Sequence, residues 1–370
     1  MKSKVGILTW HDPTNCGSAL QAYAMHRYLL DLGYDATIIR YVPWWCRGDY
    51  MQMPYSTLSR KRKVKRFVKD ALLPFYDYLP NKLKTSINPF FSFYNTCCKM
   101  TPACTEESIV ACCRSFTTII SGSDQIWNPD HVDLVFLQNF VDGATNQISY
   151  AASLGDKGIP VEYEEDYKKY LSKYSAISVR EHRGKSILEE IGIDSDVHID
   201  PTMLLDATSY KTIEKPVENV HKPFVFCYFL RTDREYKSYI QEYLKLHNLQ
   251  AIGFSFDKND YEWMKEVRQM GPQEWLWLID NAELVLTNSY HATILSLVLN
   301  TPFYNFVRFA YNDPNSQNAR LTQLNSYFDI SDYLIEGEIP EKSPYPFERF
   351  RERIPALQQK AKDYLKANIK

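Results

Sequence analysis

The sequence has no run of about 18 consecutive apolar residues, so it predicts no membrane-spanning helix. Its first apolar segment, Val5–Trp10, is followed at once by His11 and Asp12. That segment is too short for the apolar region of a secretory signal and indicates a first buried strand instead. We therefore expect a cytoplasmic protein.

Net charge and cysteine spacing exclude several common ligand classes. The net charge of −2 gives no overall attraction to nucleic acid, which is not expected as a partner. The eight cysteines include no Cys-x-x-Cys pair, so reduced thiols are expected and a zinc site is not. Asp194-Ser-Asp196 has the spacing of a metal motif, but aspartate is common in such turns. We predict no metal site.

The length of 370 residues exceeds one typical core and favours two domains. Buried strands alternate with helices along much of the chain, which is typical of parallel α/β sheets. Ser18 is expected to cap the first helix, which runs to about Leu32. Scattered prolines predict a helical insertion at about 42–115, and residues 206–223 suit a linker.

The predicted organisation has three parts. A first, acceptor-side domain spans 1–210 and contains the insertion, and a second, donor-side domain spans 211–345. Residues 346–370 form a C-terminal helix, for which packing against the first domain is one option.

Polar residues follow the predicted strands where helices begin. They are Asn15, Gly17 and Gln21 after the first strand, Ser121, Ser123 and Asp124 after a strand at 116–120, and Thr287, Asn288, Ser289 and His291 after one at 282–286. Open α/β sheets bind ligands at the carboxyl ends of their strands. A helix N-terminus there offers free N–H groups and a partial positive charge. The sequence thus predicts an anion beside the His291 imidazole.

Three of these side chains carry the chemical predictions, each with a structural alternative. His291 could transfer a proton or bind phosphate, or else cap the helix or pack in the core. Arg180, at the end of a predicted strand, could hold a carboxylate or phosphate bidentately, or pair with Glu181, Asp200 or Asp206. Asp124 could act as a base for a hydroxyl group, bind the sugar or cap a turn.

One strongly basic segment stands apart. Arg60–Lys69 is a dense cluster of cations, and one helical face over 58–75 is apolar. Such a helix can lie on an anionic membrane surface, which would place the protein peripherally at the inner membrane face. The alternative is a surface helix that packs on its own domain.

Six motifs occur in an order that resembles the polysaccharide pyruvyl transferase family. They are Asn15–Tyr23 (NCGSALQAY), Ser121–Trp127 (SGSDQIW), Tyr150–Gly155 (YAASLG), Ser178–Glu181 (SVRE), Asp200–Leu205 (DPTMLL) and Thr287–His291 (TNSYH). The resemblance implies two Rossmann-like domains facing a cleft, as in GT-B-like enzymes. It also implies transfer of a pyruvyl group from phosphoenolpyruvate to sugar hydroxyls as a ketal, on a free or lipid-linked glycan acceptor, with no metal or organic cofactor.

The resemblance also assigns roles to residues. His291 and Asp124 would be catalytic. The donor would be bound by Arg180, Asn288, Ser289 and Tyr290, and the acceptor by Asn15, Gly17, Gln21, Ser121 and Ser123. The family's last motif commonly reads Thr-x-Arg-x-His, but Ser289 stands at the arginine position here. Arg308 and Arg320, which follow the next strand, are candidates to supply the missing charge.

Two other functions remain open from the residues. One is a GT-B-like glycosyltransferase with a nucleotide-sugar donor. The other is a catalytically inactive glycan-binding protein, for which the loss of the motif arginine at Ser289 is the supporting feature.

Overall fold

The computed structural model describes residues 2–11, 15–43, 89–230, 236–255, 260, 262–267, 270–308, 319–341 and 344–370. The predicted basic helix at 58–75, and with it most of the predicted insertion, lies outside these residues. No helix within them is long and apolar enough to cross a membrane.

The first half of the chain contains a parallel sheet of four strands in the order β2-β1-β3-β4. These are β1 (Lys4–Leu8), β2 (Asp35–Ile38), β3 (Thr118–Ser121) and β4 (Asn146–Ser149). A parallel pair, β5 (Ser178–Val179) and β6 (Asp196–Val197), continues this sheet through bridges such as Ile148 to Ala176. The helices are α1 (Cys16–Asp31), α2 (Pro89–Cys97), α3 (Ile109–Cys113), α4 (Val161–Leu171), α5 (His182–Glu190) and α6 (Ala207–Lys211).

The second half contains six parallel strands in the order β12-β11-β10-β7-β8-β9. They are β7 (Phe224–Phe229), β8 (Gln250–Ser255), β9 (Lys265–Glu266), β10 (Leu284–Thr287), β11 (Phe303–Phe306) and β12 (Leu334–Ile335). The helices here are α7 (Lys237–His247), α8 (Pro272–Asn281), α9 (Tyr290–Leu299) and α10 (Ala319–Phe328). Every residue of β7 is buried, since a central parallel strand has both faces covered. The predicted class, α/β with two parallel sheets, is confirmed.

The last helix, α11 (Phe347–Asn368), contacts both halves. Arg351 donates to the Asn300 side chain of the second half, at 3.1 Å. The Tyr364 hydroxyl donates to the Ser149 carbonyl oxygen of the first half, at 2.8 Å. The helix therefore ties the two sheets together.

Two local predictions need correction. Asn15, and not Ser18, caps α1, because its side-chain oxygen accepts hydrogen bonds from the backbone N–H groups of Gly17 and Ser18 at 2.9 and 3.2 Å. Residues 206–223, predicted as a linker, begin with the short helix α6, capped by Asp206. Both cases follow from local capping by Asn or Asp, which satisfies the first free N–H groups of a helix.

Candidate active site

A cavity of about 160 Å³ lies between the two halves, at the carboxyl ends of their strands. The first half contributes residues that follow β1 and β3, and the second half contributes residues that follow β7, β10 and β11. The lining residues are Asn15, Asp124, Gln125, Leu230, Asn288, Ser289, Tyr290, His291, Arg308, Arg320 and Leu321. The structure thus brings most of the residues predicted to bind the donor into one place.

His291 lies in the first turn of α9 and faces the first half of the chain. Ser289 caps α9, and His291 is 6% exposed. A methyl group at Gly17 would overlap the Nδ1, Cγ and Cβ atoms of His291, so only glycine lets α1 approach this closely. On the other side, Nε2 of His291 lies 3.5 Å from Oδ2 of Asp200. The imidazole is held between α1 and the segment after β6.

Arg180 belongs to a buried ion-pair cluster. Its side chain is 1% exposed, and it donates from Nε to Glu181 at 2.7 Å and from Nη1 to Asp200 at 2.8 Å. This corrects the prediction that Arg180 binds the donor directly, because Arg180 does not line the cavity and realises the salt-bridge alternative. The sequence offered Glu181 and Asp200 as alternative partners, but the burial that favours them over a ligand comes from the packing.

Asp200 is the most constrained carboxyl group of the site. Oδ1 accepts hydrogen bonds from the backbone and hydroxyl of Thr202, at 2.9 and 2.6 Å. Burial alone would raise the pKa of Asp200, but His291, Arg180 and the hydrogen bond from Thr202 outweigh it and hold that pKa below its usual range. Asp200 is therefore ionised across the physiological pH range.

Tyr290 connects this buried cluster to the cavity. Its ring centroid lies 5.0 Å from Cζ of Arg180 and 5.6 Å from Cζ of Arg320. These distances are typical of cation–π contacts. Burial, followed by the positive charge of Arg180, lowers the pKa of Arg320. An anion in the cavity would relieve that repulsion, which makes Arg320 a strong candidate for a donor contact.

Asp124 supplies a carboxylate to the opposite wall of the cavity. Its Oδ2 accepts a hydrogen bond from the Ser18 hydroxyl, and Oδ1 accepts one from the Gln125 N–H at 2.9 Å. The backbone of Asp124 has a φ of +64°, a left-handed conformation that few residues other than glycine adopt. Its place at the cavity is consistent with the predicted base.

Several predicted binding residues lie behind the cavity wall instead. Gln21 and Ser121 have no exposed surface, and their side chains bond Trp10 and Phe136 carbonyl oxygens, at 2.8 and 2.9 Å. The Ser123 hydroxyl is also buried and donates to Asp200 at 3.2 Å. These contacts correct the prediction of direct acceptor binding by these three residues, which instead support the site from behind.

Asn288 lines the cavity, but its amide is already used. It accepts from the Leu230 N–H at 2.7 Å and donates to the Leu230 carbonyl oxygen at 2.9 Å. Its observed role is therefore to join the ends of β7 and β10. Ser289, the other residue of this turn, accepts a hydrogen bond from the Ala292 N–H as the cap of α9.

Sequence reasoning missed five residues of the site. Glu181 and Asp200 stood inside the quoted motifs, where they were considered only as alternatives that would neutralise Arg180. Gln125 also stood inside a quoted motif, Ser121–Trp127, but was given no role. Leu230 and Leu321 line the cavity too, and only Leu230 had a signal, its position near a strand end. Among the described residues, no three His, Cys, Asp or Glu side chains are grouped so that they could hold a metal ion.

Comparison with known proteins assigns the chain. The family model described as polysaccharide pyruvyl transferase matches residues 15–308. The chain belongs to the polysaccharide pyruvyl transferase family. This membership makes it a transferase of polysaccharide biosynthesis, and the matched range includes every predicted site residue except Arg320. The search of curated proteins found no match.

Solved structures resemble this pyruvyl transferase family member only distantly. UDP-GlcNAc 2-epimerase from Methanocaldococcus jannaschii is 11% identical with a TM-score of 0.48, covering 97% of this chain and 93% of that one. E. coli ADP-heptose LPS heptosyltransferase II is 10% identical with a TM-score of 0.41, covering 98% and 100%. At these values the similarity carries no information about substrate or reaction.

Proposed function

We propose that the protein transfers a pyruvyl group from phosphoenolpyruvate to two hydroxyls of a sugar, forming a ketal during the assembly of a surface polysaccharide. The observation that carries this proposal is the cavity between the halves, where Arg308, Arg320 and His291 face Asp124. Phosphoenolpyruvate bears a phosphate and a carboxylate close together, and guanidinium groups recognise both.

The proposed reaction requires proton transfer and binding of negative charge, and residues on both sides of the cavity can provide them. The methylene carbon of the donor gains a proton, two C–O bonds form to the sugar oxygens, and the C–O bond to phosphate breaks. Of the two hydroxyl protons released, one balances the new methyl group and the other leaves with phosphate. We assign proton delivery to His291 and proton acceptance from the sugar to Asp124. Arg308 and Arg320 hold the donor's negative charge.

The described part of the cavity suits a small donor. Its walls enclose about 160 Å³, whereas pockets for drug-sized ligands typically measure ~300–1,000 Å³. Phosphoenolpyruvate, which carries a phosphate and a carboxylate on three carbons, is a small donor.

The test combines binding and turnover. Thermal-shift and calorimetric titrations would compare phosphoenolpyruvate, inorganic phosphate, and UDP- and GDP-sugars. Turnover would then be measured with ¹³C-labelled phosphoenolpyruvate and a panel of glycosides and lipid-linked sugars, by phosphate release and by the NMR signal of the ketal methyl group. We expect phosphoenolpyruvate to bind most tightly and to give a labelled ketal.

Two results would redirect the proposal. Tight binding of a nucleotide sugar, without binding of phosphoenolpyruvate, would favour a glycosyltransferase. Binding of glycans, with no binding of either donor, would favour a catalytically inactive glycan-binding protein.

A further inference from the structure

The contact between Asp200 and His291 joins the two halves inside the site. Asp200 follows β6 in the first half, and His291 opens α9 in the second. The carboxyl group is 0% exposed and the imidazole 8%, with Oδ2 and Nε2 separated by 3.5 Å. This is an ion-pair distance, longer than that of an ordinary N–H···O hydrogen bond.

The surroundings of Asp200 fix the direction in which its carboxylate faces. Thr202 occupies Oδ1 with two hydrogen bonds. Oδ2 accepts from Nη1 of Arg180 at 2.8 Å and from the Ser123 hydroxyl at 3.2 Å, and also faces His291. A carboxylate held at both oxygens cannot rotate away from the imidazole without breaking these bonds. Its geometry is therefore set before any substrate binds.

The charges in this cluster also leave room for an imidazolium. The single guanidinium of Arg180 contacts two carboxyl groups, those of Glu181 and Asp200. An imidazolium formed in the reaction would face the second of these carboxylates, that of Asp200. Tyr290, whose ring lies 5.3 Å from that of His291, also packs against it, and burial raises the pKa of its phenol well above the usual value.

We propose that Asp200 is the positioning residue for His291, and that it fixes the orientation of the ring through Nε2 for proton transfer in the reaction. The inference rests on the proposed function, which defines that proton transfer. A carboxylate that orients a histidine fixes its tautomer and stabilises the imidazolium that forms during proton transfer.

The contact between Asp200 and His291 forms only where the two halves pack against each other. The turn Pro201–Met203, which begins directly after Asp200, contacts both α1 and α9. His291 has its carboxylate only in this arrangement of the two sheets. The pair thus couples proton transfer to the approach of the donor half and the acceptor half.

The competing explanation is that Asp200 serves only to neutralise Arg180. Asp200→Asn and Glu181→Gln separate the two explanations, because each removes one carboxylate from Arg180, while Glu181 makes no contact with His291 among the described residues. If Asp200 positions His291, the two variants differ at the imidazole. If it only serves Arg180, they behave alike.

The first measurement needs no substrate. Proteins labelled with ¹⁵N-histidine would be titrated by NMR, with the His291 signals assigned from their loss in His291→Gln. We expect Asp200→Asn to change the tautomer balance reported by the Nδ1 and Nε2 shifts, and Glu181→Gln to leave it as in the wild type. Equal spectra in the two variants would overturn the proposal, whatever the donor proves to be.

The second measurement uses turnover with phosphoenolpyruvate. We expect Asp200→Asn to lower kcat by about 10- to 100-fold with KM for the donor little changed, and to displace the pH–rate profile. Glu181→Gln should leave that profile in place. A loss confined to KM would contradict positioning. Should Asp200→Asn fail to fold, Thr202→Val removes the hydroxyl hydrogen bond to Oδ1 and leaves the backbone one in place. It should produce a smaller change in the same His291 signals, and the absence of that change would also refute the proposal.

Discussion

Arg180 and Arg320 contact the same tyrosine ring but belong to different regions of the site. Arg180 lies in the buried cluster, 1% exposed, with Glu181 and Asp200 as direct partners. Arg320 lines the cavity. The difference shows that a guanidinium near an active site is not by itself a ligand contact. The groups that a guanidinium contacts decide whether it stabilises the fold or binds a substrate.

Two of the buried histidines, His291 and His198, show the same contrast. His291 faces the carboxylate of Asp200 and lines the cavity. His198 is 3% exposed, pairs with the Ser178 hydroxyl at 2.9 Å and packs on Tyr364 of α11, with ring centroids 4.5 Å apart. His198 therefore serves the packing of the last helix, whereas His291 lines the cavity.

The largest expected effect comes from His291→Ala. We expect turnover with phosphoenolpyruvate to fall by about 10²- to 10⁴-fold, because general acid–base catalysis contributes that much. The circular dichroism spectrum should be unchanged, since alanine is a good helix former. His247→Ala, at the exposed end of α7, is the matched control and should retain activity. Turnover in His291→Ala equal to that of this control would reject the catalytic role.

Arg180→Met tests the buried side of the comparison. Removing one partner of a buried ion pair leaves uncompensated charge, so the free energy of unfolding should fall by about 3–5 kcal/mol in urea titrations. Arg27→Met, which breaks an exposed pair with Asp31, should change it by less than about 1 kcal/mol. A stable Arg180→Met protein that had lost donor affinity would place Arg180 on the ligand after all.

Arg320→Met tests the cavity side. A hydrogen bond to a charged group contributes about 1.5–3 kcal/mol, so the Kd for phosphoenolpyruvate should rise roughly 10- to 100-fold. Calorimetry would measure this change, with Arg353→Met, which removes a surface pair with Asp329, as the control. Unchanged donor affinity would mean that Arg308 and His291 hold the anion without Arg320.

His198→Gln gives the smallest expected effect, on acid stability. Burial, followed by the charge of Lys360, lowers the pKa of His198 to about 4. Between about pH 6.5 and 4 the unfolded chain binds a proton at this position and the folded chain does not, so stability is lost as the pH falls. Replacing His198 should reduce the loss between pH 7 and 5 by about 1–2 kcal/mol. His11 and His26, whose pKa values burial also lowers, act equally in both proteins.

That reduction is measured by urea titrations at both pH values. His247→Gln, at an exposed position, is the control and should follow the wild type. Identical acid sensitivity in His198→Gln and the wild type would show that His198 takes up its proton without cost to the fold.

Much of the fold was accessible from the sequence. The first helix, predicted to run to about Leu32, ends at Asp31, and the strand predicted at 282–286 corresponds to β10. The sequence did not reveal β9 and β12, each two residues long, because so short a strand has no period of its own. Helix α10, which carries Arg320, was missed because its apolar pattern is weak.

For the site, the sequence predicted Asn15, Asp124 and His291 because each follows the end of a strand. It predicted Arg320 as a cation that comes after the next strand. It failed for Ser121 and Gln21, because the same polar residues also bond carbonyl oxygens behind a loop. A polar residue after a strand either lines the cavity or bonds the backbone behind it. The outcome depends on which side of the turn faces the interior, and the sequence alone does not show this.

The sequence by itself determined which polar turns follow the strands, because apolar periodicity and helix caps are local properties. It also determined the family through the order of its motifs. Only the tertiary structure decided that Asp200 pairs with Arg180 and faces His291. Asp200 lies 20 positions from Arg180 and 91 from His291, and His291 belongs to the other sheet's half of the chain. Ion pairs in a buried site follow from how the sheets dock, because burial leaves each charge only those partners that the packing brings within reach.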